Sequence, residues 1–304
     1  MSRRLATEIA GLKLANPTML AAGVLGLTGS ALRKVVEAGA GAVVTKSFGL
    51  KPREGYPNPT VVQVDCGLLN AMGLPNPSIR YFGEEIRELK ETEVPVIVSI
   101  YGFSSEEFAK AAELAVEVGA DALELNVSCP HVQETGAQIG SNPELLREVV
   151  RKVKNQVDKP VFVKLTPNVA SIVEVAKAAV ESGADAITAI NTVRAMAIEI
   201  ETTQPLLANK IGGLSGPAIK PIAVRCVYEI CREVDVPVIG CGGITDWRDA
   251  VEFMLAGASA VQIGTAIAFR GLRVFKSVAR GINAYVRKKG FGSVKDIVGL
   301  AQEF

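Results

Sequence analysis

The chain has 304 residues, of which 48% are hydrophobic and 21% charged, and this composition is typical of a globular protein with a large core. Its formal net charge is +1 and it contains no Lys/Arg-rich block, so it lacks the charge pattern of a protein that binds nucleic acid or an anionic membrane surface. The five cysteines form no CxxC motif, which argues against a disulfide framework and against a self-contained zinc or iron–sulfur site.

No targeting or membrane segment is predicted. The N-terminal residues are partly basic but contain no apolar run long enough for a signal peptide. No uncharged stretch approaches the ~20 residues that a membrane helix needs. Unpaired cysteines are usual in a reducing compartment, so we expect a cytoplasmic protein that binds neither membrane nor nucleic acid.

Eight short apolar runs recur along the chain, and each is followed by a longer segment with helical periodicity. Most of the runs are apolar at nearly every position, which is typical of parallel strands that helices cover on the outside. In chain order, the predicted strands are residues 18–23, 41–47, 94–102, 120–128, 159–167, 184–192, 236–244 and 258–266.

Capping signals bound the predicted helices between these strands. Ser104 or Ser105 is placed to cap one helix, which Gly119 ends, and Asn142 precedes Pro143 at the first position of another. Eight strand–helix units in about 250 residues predict an α/β fold of the TIM (β/α)8 barrel type. We expect residues 1–304 to form a single domain, with a doubly wound parallel sheet as the alternative fold.

Two segments are longer than the connections of a minimal barrel. Residues 50–76 follow the second strand and residues 194–216 follow the sixth, and neither has a strong helical pattern. Both are predicted to be long loops at the end of the barrel where the strands finish. Loops of this length in a compact domain are usually functional or disordered.

The site of such a barrel lies at the carboxyl ends of its strands. Lys46 and Lys164 each end an apolar run there, although lysine is rarely buried without a partner. They predict a site for an anionic ligand, or for negative charge that develops during a reaction. The alternative is that each ammonium group simply reaches the solvated mouth of the barrel.

Glycine-rich turns follow the seventh and eighth strands, in IGCGGI and QIGTA. Barrels commonly bind phosphate here, because glycine lets backbone N–H groups approach the ligand closely. Asn126 and Asn191 end two other strands, and Asn70 lies in the first long loop. Their amides suit a planar polar heterocycle such as a pyrimidine, although turn capping is the alternative role for each one alone.

Cys129 differs from the other cysteines because it directly follows the fourth strand, in ELNVSCPHV. That position suits an acid, a base or a nucleophile. Cys226 and Cys231 lie in a helical pattern and are predicted to be small core residues. Cys66 and Cys241 are assigned to loops, without a role.

Seven motifs, in order along nearly the whole chain, resemble the dihydroorotate dehydrogenases. They are NAMGLPNP, ELNVSCPHV, VKLTPNV, INT, GGLSGPAIKP, GCGGI and VQIGTA. The cysteine at position 129, rather than a serine, resembles the class 1 enzymes. The segment from NVSCPHV to REVVRKVK is most similar to the class 1B catalytic subunit.

The resemblance implies FMN at the mouth of the barrel. Its phosphate would lie on the glycine turns, and Lys164 would favour the reduced, anionic flavin. The implied cofactor-binding residues are Ala22, Lys46, Ser47, Ser99, Asn126, Lys164, Ile190, Gly216, Gly242, Gly243, Gly264 and Thr265. At two of these positions the chain departs from the family, which often has serine in place of Ala22 and asparagine in place of Ser99.

The same resemblance implies oxidation of dihydroorotate to orotate in de novo pyrimidine (UMP) biosynthesis. Cys129 would be the general base that removes the proton from C5, while a hydride passes from C6 to N5 of FMN. No metal site is implied. The implied substrate-binding residues are Lys46, Asn70, Ala71, Met72, Gly73, Leu74, Asn126, Asn191 and Thr192.

In class 1B, electrons pass to NAD through a second subunit that carries FAD and a [2Fe–2S] cluster. This chain has no cluster-type cysteine set and no dinucleotide motif, so such a partner would supply both groups. The implied assembly is a homodimer at the core of a heterotetramer. The nearest alternative is a flavin-dependent reductase of another pyrimidine, such as uracil or thymine. More distant alternatives are a flavin-free barrel with Lys164 as a Schiff base and a non-catalytic subunit.

Overall fold

The computed structural model describes residues 3–127 and 136–303, and its strands are numbered here along the chain. An antiparallel hairpin of β1 (Thr7–Ile9) and β2 (Leu12–Leu14) comes first. Eight parallel strands then form a closed barrel, as predicted, and each apolar run contains one of them. The barrel strands are β3 (Thr18–Leu20), β4 (Ala42–Val44), β7 (Val96–Ile100), β8 (Ala122–Asn126), β9 (Val161–Leu165), β10 (Ala186–Ala189), β15 (Val238–Cys241) and β16 (Ala260–Ile263).

Helices cover the outside of the barrel. They are α1 (Gly29–Glu37), α2 (Gly83–Leu89), α3 (Ser105–Glu117), α4 (Gly136–Ser141), α5 (Pro143–Gln156), α6 (Ile172–Glu181), α7 (Lys220–Cys231), α8 (Trp247–Leu255), α9 (Ala266–Arg270) and α10 (Arg273–Lys288). Two predicted caps are confirmed, because Ser104 accepts a hydrogen bond at the start of α3 and Asn142 does so at the start of α5. Across the described ranges, every helix is too short or too polar to span a bilayer.

The two segments predicted as long loops meet in one antiparallel sheet above the barrel. Its strands are β5 (Val61–Val64), β6 (Gly67–Asn70), β11 (Val193–Ala195) and β14 (Gly212–Ser215), and they lie in the order β11, β14, β6 and β5. A separate hairpin pairs β12 (Ile198–Glu199) with β13 (Gln204–Pro205). Gly213 pairs with Asn70 across β14 and β6, so the pairing joins segments that are far apart in the sequence.

The barrel interior is layered, because side chains along a strand alternate between the interior and the surrounding helices. An apolar layer includes Ala122, Phe162, Ala186, Ile239 and Ala260, and the β1–β2 hairpin packs onto it through Ile9 and Leu14. Residues two positions further along the same strands face the same interior, one layer nearer the carboxyl ends. They are Glu124, Lys164, Thr188, Cys241 and Gln262.

Candidate active site

A cavity of about 450 Å³ opens at the carboxyl ends of the barrel strands, within the usual size range of small-molecule sites. Strand ends, the glycine turns and the sheet above the barrel all contribute to its wall. The predicted site residues that line it are Ala22, Lys46, Ser47, Asn70, Met72, Gly73, Leu74, Asn126, Lys164, Ile190, Asn191, Thr192, Gly216, Gly242, Gly243, Gly264 and Thr265.

Two predicted site residues within the described ranges are not part of this lining. Ser99 is fully buried, and its hydroxyl oxygen lies 2.9 Å from that of Ser47, which does line the cavity. Ala71 is also buried, and its backbone N–H donates to the carbonyl of Thr60 at 2.8 Å. Cys129 lies outside the described residues, and its role as general base remains a prediction.

Polar side chains on one wall of the cavity hold one another in place. Asn126 Nδ2 donates to Ser47 Oγ at 2.9 Å, and Asn191 Nδ2 donates to Asn126 Oδ1 at 3.4 Å. The backbone N–H of Thr192 donates to Asn191 Oδ1 at 2.8 Å. Asn70 Nδ2 is tied at 3.2 Å to a backbone carbonyl of β14. The amide groups are therefore oriented by the protein before any ligand binds.

Lys46 lines the cavity and is only 7% exposed. Within the described ranges, its ammonium group makes no hydrogen bond or ion pair. Burial lowers the pKa of Lys46, because removal from water disfavours the charged form. A bound anion would offset that cost, so Lys46 has the environment of a ligand-binding lysine rather than of a surface one.

Lys164 has protein partners in the layer beneath the cavity. Its Nζ donates to Gln262 Oε1 at 2.8 Å and lies 3.7 Å from Glu124 Oε1. The other carboxylate oxygen, Glu124 Oε2, accepts from Thr188 Oγ1 at 2.9 Å and from Gln262 Nε2 at 2.6 Å. Burial by itself lowers the pKa of Lys164, but Cys241, in its thiolate form, and the Glu124 carboxylate raise it above its usual value. Lys164 is therefore an ammonium ion at neutral pH.

The glycine turns converge at one end of the cavity. A Cβ atom added to Gly243 would lie 2.8 Å from the carbonyl oxygen of Gly216, and one added to Gly216 would lie 3.3 Å from Thr265 Cγ2. The backbone N–H groups of Gly242, Gly243, Gly264 and Thr265 have no acceptor among the described residues. Closely packed backbone donors of this kind suit a phosphate group.

Sequence comparison identifies the family. A profile described as dihydroorotate dehydrogenase matches residues 4–286. The chain belongs to the dihydroorotate dehydrogenase family. It is 55% identical over 297 residues to a protein of Pyrococcus abyssi, an alignment that covers 98% of this chain and 99% of the relative.

Two further relatives agree with this family assignment. A Pyrococcus furiosus protein is 54% identical, with 97% of this chain and 98% of the relative covered. A Methanothermobacter thermautotrophicus protein is also 54% identical, with 98% of this chain and 99% of the relative covered. All three relatives are named "Dihydroorotate dehydrogenase B (NAD(+)), catalytic subunit". The resemblance to the class 1B catalytic subunit is therefore confirmed.

Two features of the cavity suit the flavin cofactor of the dihydroorotate dehydrogenase family. The backbone donors of the glycine turns suit a phosphate group, and the Lys164 ammonium group lines the same cavity. Ala22 also lines the cavity, but its methyl side chain offers no hydrogen bond. Ser99 would act on the cofactor only through Ser47, with which it shares a hydrogen bond.

Three polar residues beside Lys164 were not predicted as site residues. The sequence pattern places Glu124 and Gln262 in apolar strands, and Cys241 was predicted to lie in a loop. The Cys241 assignment was wrong, because this residue ends β15 and lines the cavity. The alternation of side chains along a strand could have predicted their position in the barrel interior. Each of the three lies two positions after an inward-facing apolar residue.

Proposed function

We propose that this chain oxidises dihydroorotate to orotate with FMN bound in the cavity, as one FMN-binding domain of residues 1–304. The observation that carries the proposal is that two buried ammonium groups, Lys46 and Lys164, line one cavity together with a glycine-rich phosphate cradle. A phosphorylated cofactor and a carboxylated substrate together would match this set of positive and hydrogen-bonding groups.

Lys46 would bind the carboxylate of dihydroorotate. Its ammonium group lacks a protein anion within the described ranges, and a carboxylate would supply one. Asn70, Asn126 and Asn191 would bind the ring through amide hydrogen bonds, with Thr192 and the segment from Ala71 to Leu74 beside them. Uracil and thymine carry no carboxylate, so the charge of Lys46 supports orotate over those pyrimidines.

Lys164 would hold a positive charge beside the flavin. Bound FMN would supply the two-electron acceptor for the hydride that leaves C6 of the substrate. A fixed ammonium group in a buried site stabilises developing negative charge more strongly than it would in water. The ion pair with Glu124 also argues against a Schiff base at Lys164, because a protonated amine cannot attack a carbonyl group.

Cys129 would act as the general base at C5 of the substrate. It follows Asn126 by three residues, and the Asn126 side chain lines the cavity. Three residues span at most ~11 Å, so the position of Asn126 is compatible with a role for Cys129 in this site. A thiolate near two ammonium groups would be stabilised by their charge, which favours proton abstraction near neutral pH.

A partner subunit would carry the electrons onward to NAD. The relatives are named as NAD(+)-linked catalytic subunits, which supports a second chain. Within the described residues, no cluster of three or more His, Cys, Asp or Glu side chains could hold a metal ion. FAD and a [2Fe–2S] cluster would therefore reside on the partner, with two copies of this chain at the core of a heterotetramer.

The absorbance spectrum of the purified chain tests the proposal. We expect flavin bands that disappear on anaerobic addition of dihydroorotate and persist with dihydrouracil. Reconstitution with FMN should restore the bands if they are lost during purification. A chain that stays colourless with added FMN would contradict the proposed function. So would a chain whose flavin is reduced as fast by dihydrouracil as by dihydroorotate.

A further inference from the structure

Glu124 and Lys164 form an ion pair in the layer directly beneath the cavity. Glu124 Oε1 lies 3.7 Å from Lys164 Nζ, and both side chains are almost completely buried. Within the described residues, Glu124 Oε1 has no hydrogen-bond partner, and the nearby Lys164 ammonium group supplies the countercharge of the carboxylate. A buried carboxylate costs several kcal/mol without a countercharge, so the two charges depend on each other.

Glu124 also orients Lys164 through the amide group of Gln262. A carboxylate only accepts hydrogen bonds, so Gln262 turns its Nε2 toward Glu124 Oε2, at 2.6 Å. The amide oxygen then faces Lys164 and accepts from Nζ at 2.8 Å. Lysine has three N–H donors, and these two neighbours leave a donor for the cavity that Lys164 lines.

We infer that Glu124 is a positioning residue for Lys164, which it keeps protonated and directed at the cavity. Glu124 does not line the cavity and would act on a bound ligand only through its neighbours Lys164 and Gln262, which do line it. The inference deepens the proposed function, on which its consequence for the flavin rests. With Glu124 in place, Lys164 would keep its positive charge in the cavity at neutral pH and could stabilise a reduced, anionic flavin bound there.

The other titratable groups near Lys164 do not replace Glu124 as its countercharge. Burial raises the pKa of Cys241, so this thiol is neutral near pH 7 although Lys164 opposes the shift. Lys46, which lines the same cavity, carries no negative charge in either protonation state and cannot serve as a countercharge. Thr188 and Gln262 contribute hydrogen bonds but no charge. Without Glu124, burial would favour the neutral amine of Lys164.

Carbon NMR of the full chain labelled at lysine Cε tests the inference, because the chemical shift of Cε reports protonation of the amine. The Cε resonance that is absent from the spectrum of Lys164→Arg is assigned to Lys164. We expect this resonance to titrate at lower pH in Glu124→Gln than in the wild-type chain. Thr188→Val removes one hydrogen bond to the Glu124 carboxylate but keeps the carboxylate charge. In this control, Lys164 should titrate at nearly the same pH as in the wild-type chain. An unchanged Lys164 titration in folded Glu124→Gln would overturn the inference.

Two further variants keep the test decisive if Glu124→Gln does not fold. Glu124→Asp keeps the negative charge at a greater distance, so its Lys164 titration should shift to lower pH by a smaller amount. Replacing both partners, with Glu124→Gln and Lys164→Met, removes both buried charges and should restore folding. The role of the ion pair would be contradicted if Lys164 in Glu124→Asp titrated as in the wild-type chain and the double variant also failed to fold.

The flavin supplies a separate readout. In Glu124→Gln, we expect the midpoint potential of bound flavin to fall below wild type at pH values where Lys164 has lost its proton. Failure of the chain to bind flavin would refute the proposed function, while the NMR titration would still decide the role of Glu124. If the chain binds flavin but the titration of Lys164 is the same with and without Glu124, the inference is refuted and the proposed function is not.

Discussion

Gln262 and Glu124 are 138 residues apart in the sequence, yet Gln262 Nε2 donates to Glu124 Oε2 at 2.6 Å inside the barrel. Through this bond, β8 and β16 jointly hold the ammonium group of Lys164 on β9. The cavity wall therefore rests on a polar layer whose members come from different parts of the chain.

Cys129→Ala should lower the rate of dihydroorotate oxidation by about 10²–10⁴-fold, the usual contribution of a general base. The flavin content and visible spectrum should stay as in the wild-type chain, because FMN would be held by other residues. Cys66→Ala is the matched control, since Cys66 is exposed and does not line the cavity. Turnover at the wild-type rate in Cys129→Ala would show that Cys129 is not the general base.

Lys46→Met should raise the KM for dihydroorotate by about 10–100-fold, as expected from losing a hydrogen bond between charged groups. Lys51→Met is the control, because Lys51 is exposed in the neighbouring segment. Burial lowers the pKa of Lys46, so affinity for the carboxylate should be complete below that pKa and fall as pH rises through it. Steady-state kinetics across an alkaline pH series measures both effects, and a KM within twofold of wild type would argue against carboxylate binding.

Lys164→Met should slow flavin reduction by dihydroorotate and destabilise the fold. It leaves the buried carboxylate of Glu124 without a countercharge, which typically costs about 3–5 kcal/mol of unfolding free energy. Urea denaturation measures the stability loss, and anaerobic stopped-flow absorbance measures the reduction rate.

The exposed ion pair between Arg225 and Glu229 provides the control for that stability measurement. Arg225→Ala should cost less than about 1 kcal/mol, because solvent screens this pair. An equal cost for Lys164→Met and Arg225→Ala would show that the buried pair has no special energetic role. Flavin reduction at the wild-type rate in Lys164→Met would separately contradict the electrostatic role of Lys164.

Gly243→Ala should abolish FMN binding. Its Cβ atom would lie 2.8 Å from the carbonyl oxygen of Gly216, so the turns that cradle the phosphate must move apart. Gly290→Ala is a matched control, because its φ of +81° is close to the +75° of Gly243 while nothing lies within 4 Å of its added Cβ. Both variants should lose roughly 1–2 kcal/mol of stability from the left-handed backbone. Equal flavin content in the two variants would mean that the close approach of the turns is irrelevant to FMN binding.

Local pattern was enough to predict the barrel and most of its cavity lining. All eight apolar runs contain a barrel strand, and the caps at Ser104 and Asn142 stand where the sequence places them. Lys46, Lys164 and the glycine turns line the cavity because the ends of parallel strands meet at one end of a barrel.

The pairing of the two long segments was not predictable in the same way. Residues 50–76 and 194–216 look like loops because their strands are short and contain glycine. Within the segments β5 pairs with β6 and β11 with β14, and the two segments join into one sheet through β6 and β14, where Leu69 pairs with Leu214. Strand formation that depends on a distant partner leaves little local signal.

Taken alone, the amino-acid sequence determined the eightfold alternation of strand and helix, the lysines and glycines at the strand ends, and the family resemblance, because these depend on residue type and local spacing. Only the tertiary structure decided that Glu124, Lys164 and Gln262 share one interior layer and that Cys241 faces the cavity. The physical reason is that barrel closure sets the register between strands. That register, rather than any local propensity, determines which inward-facing side chains meet.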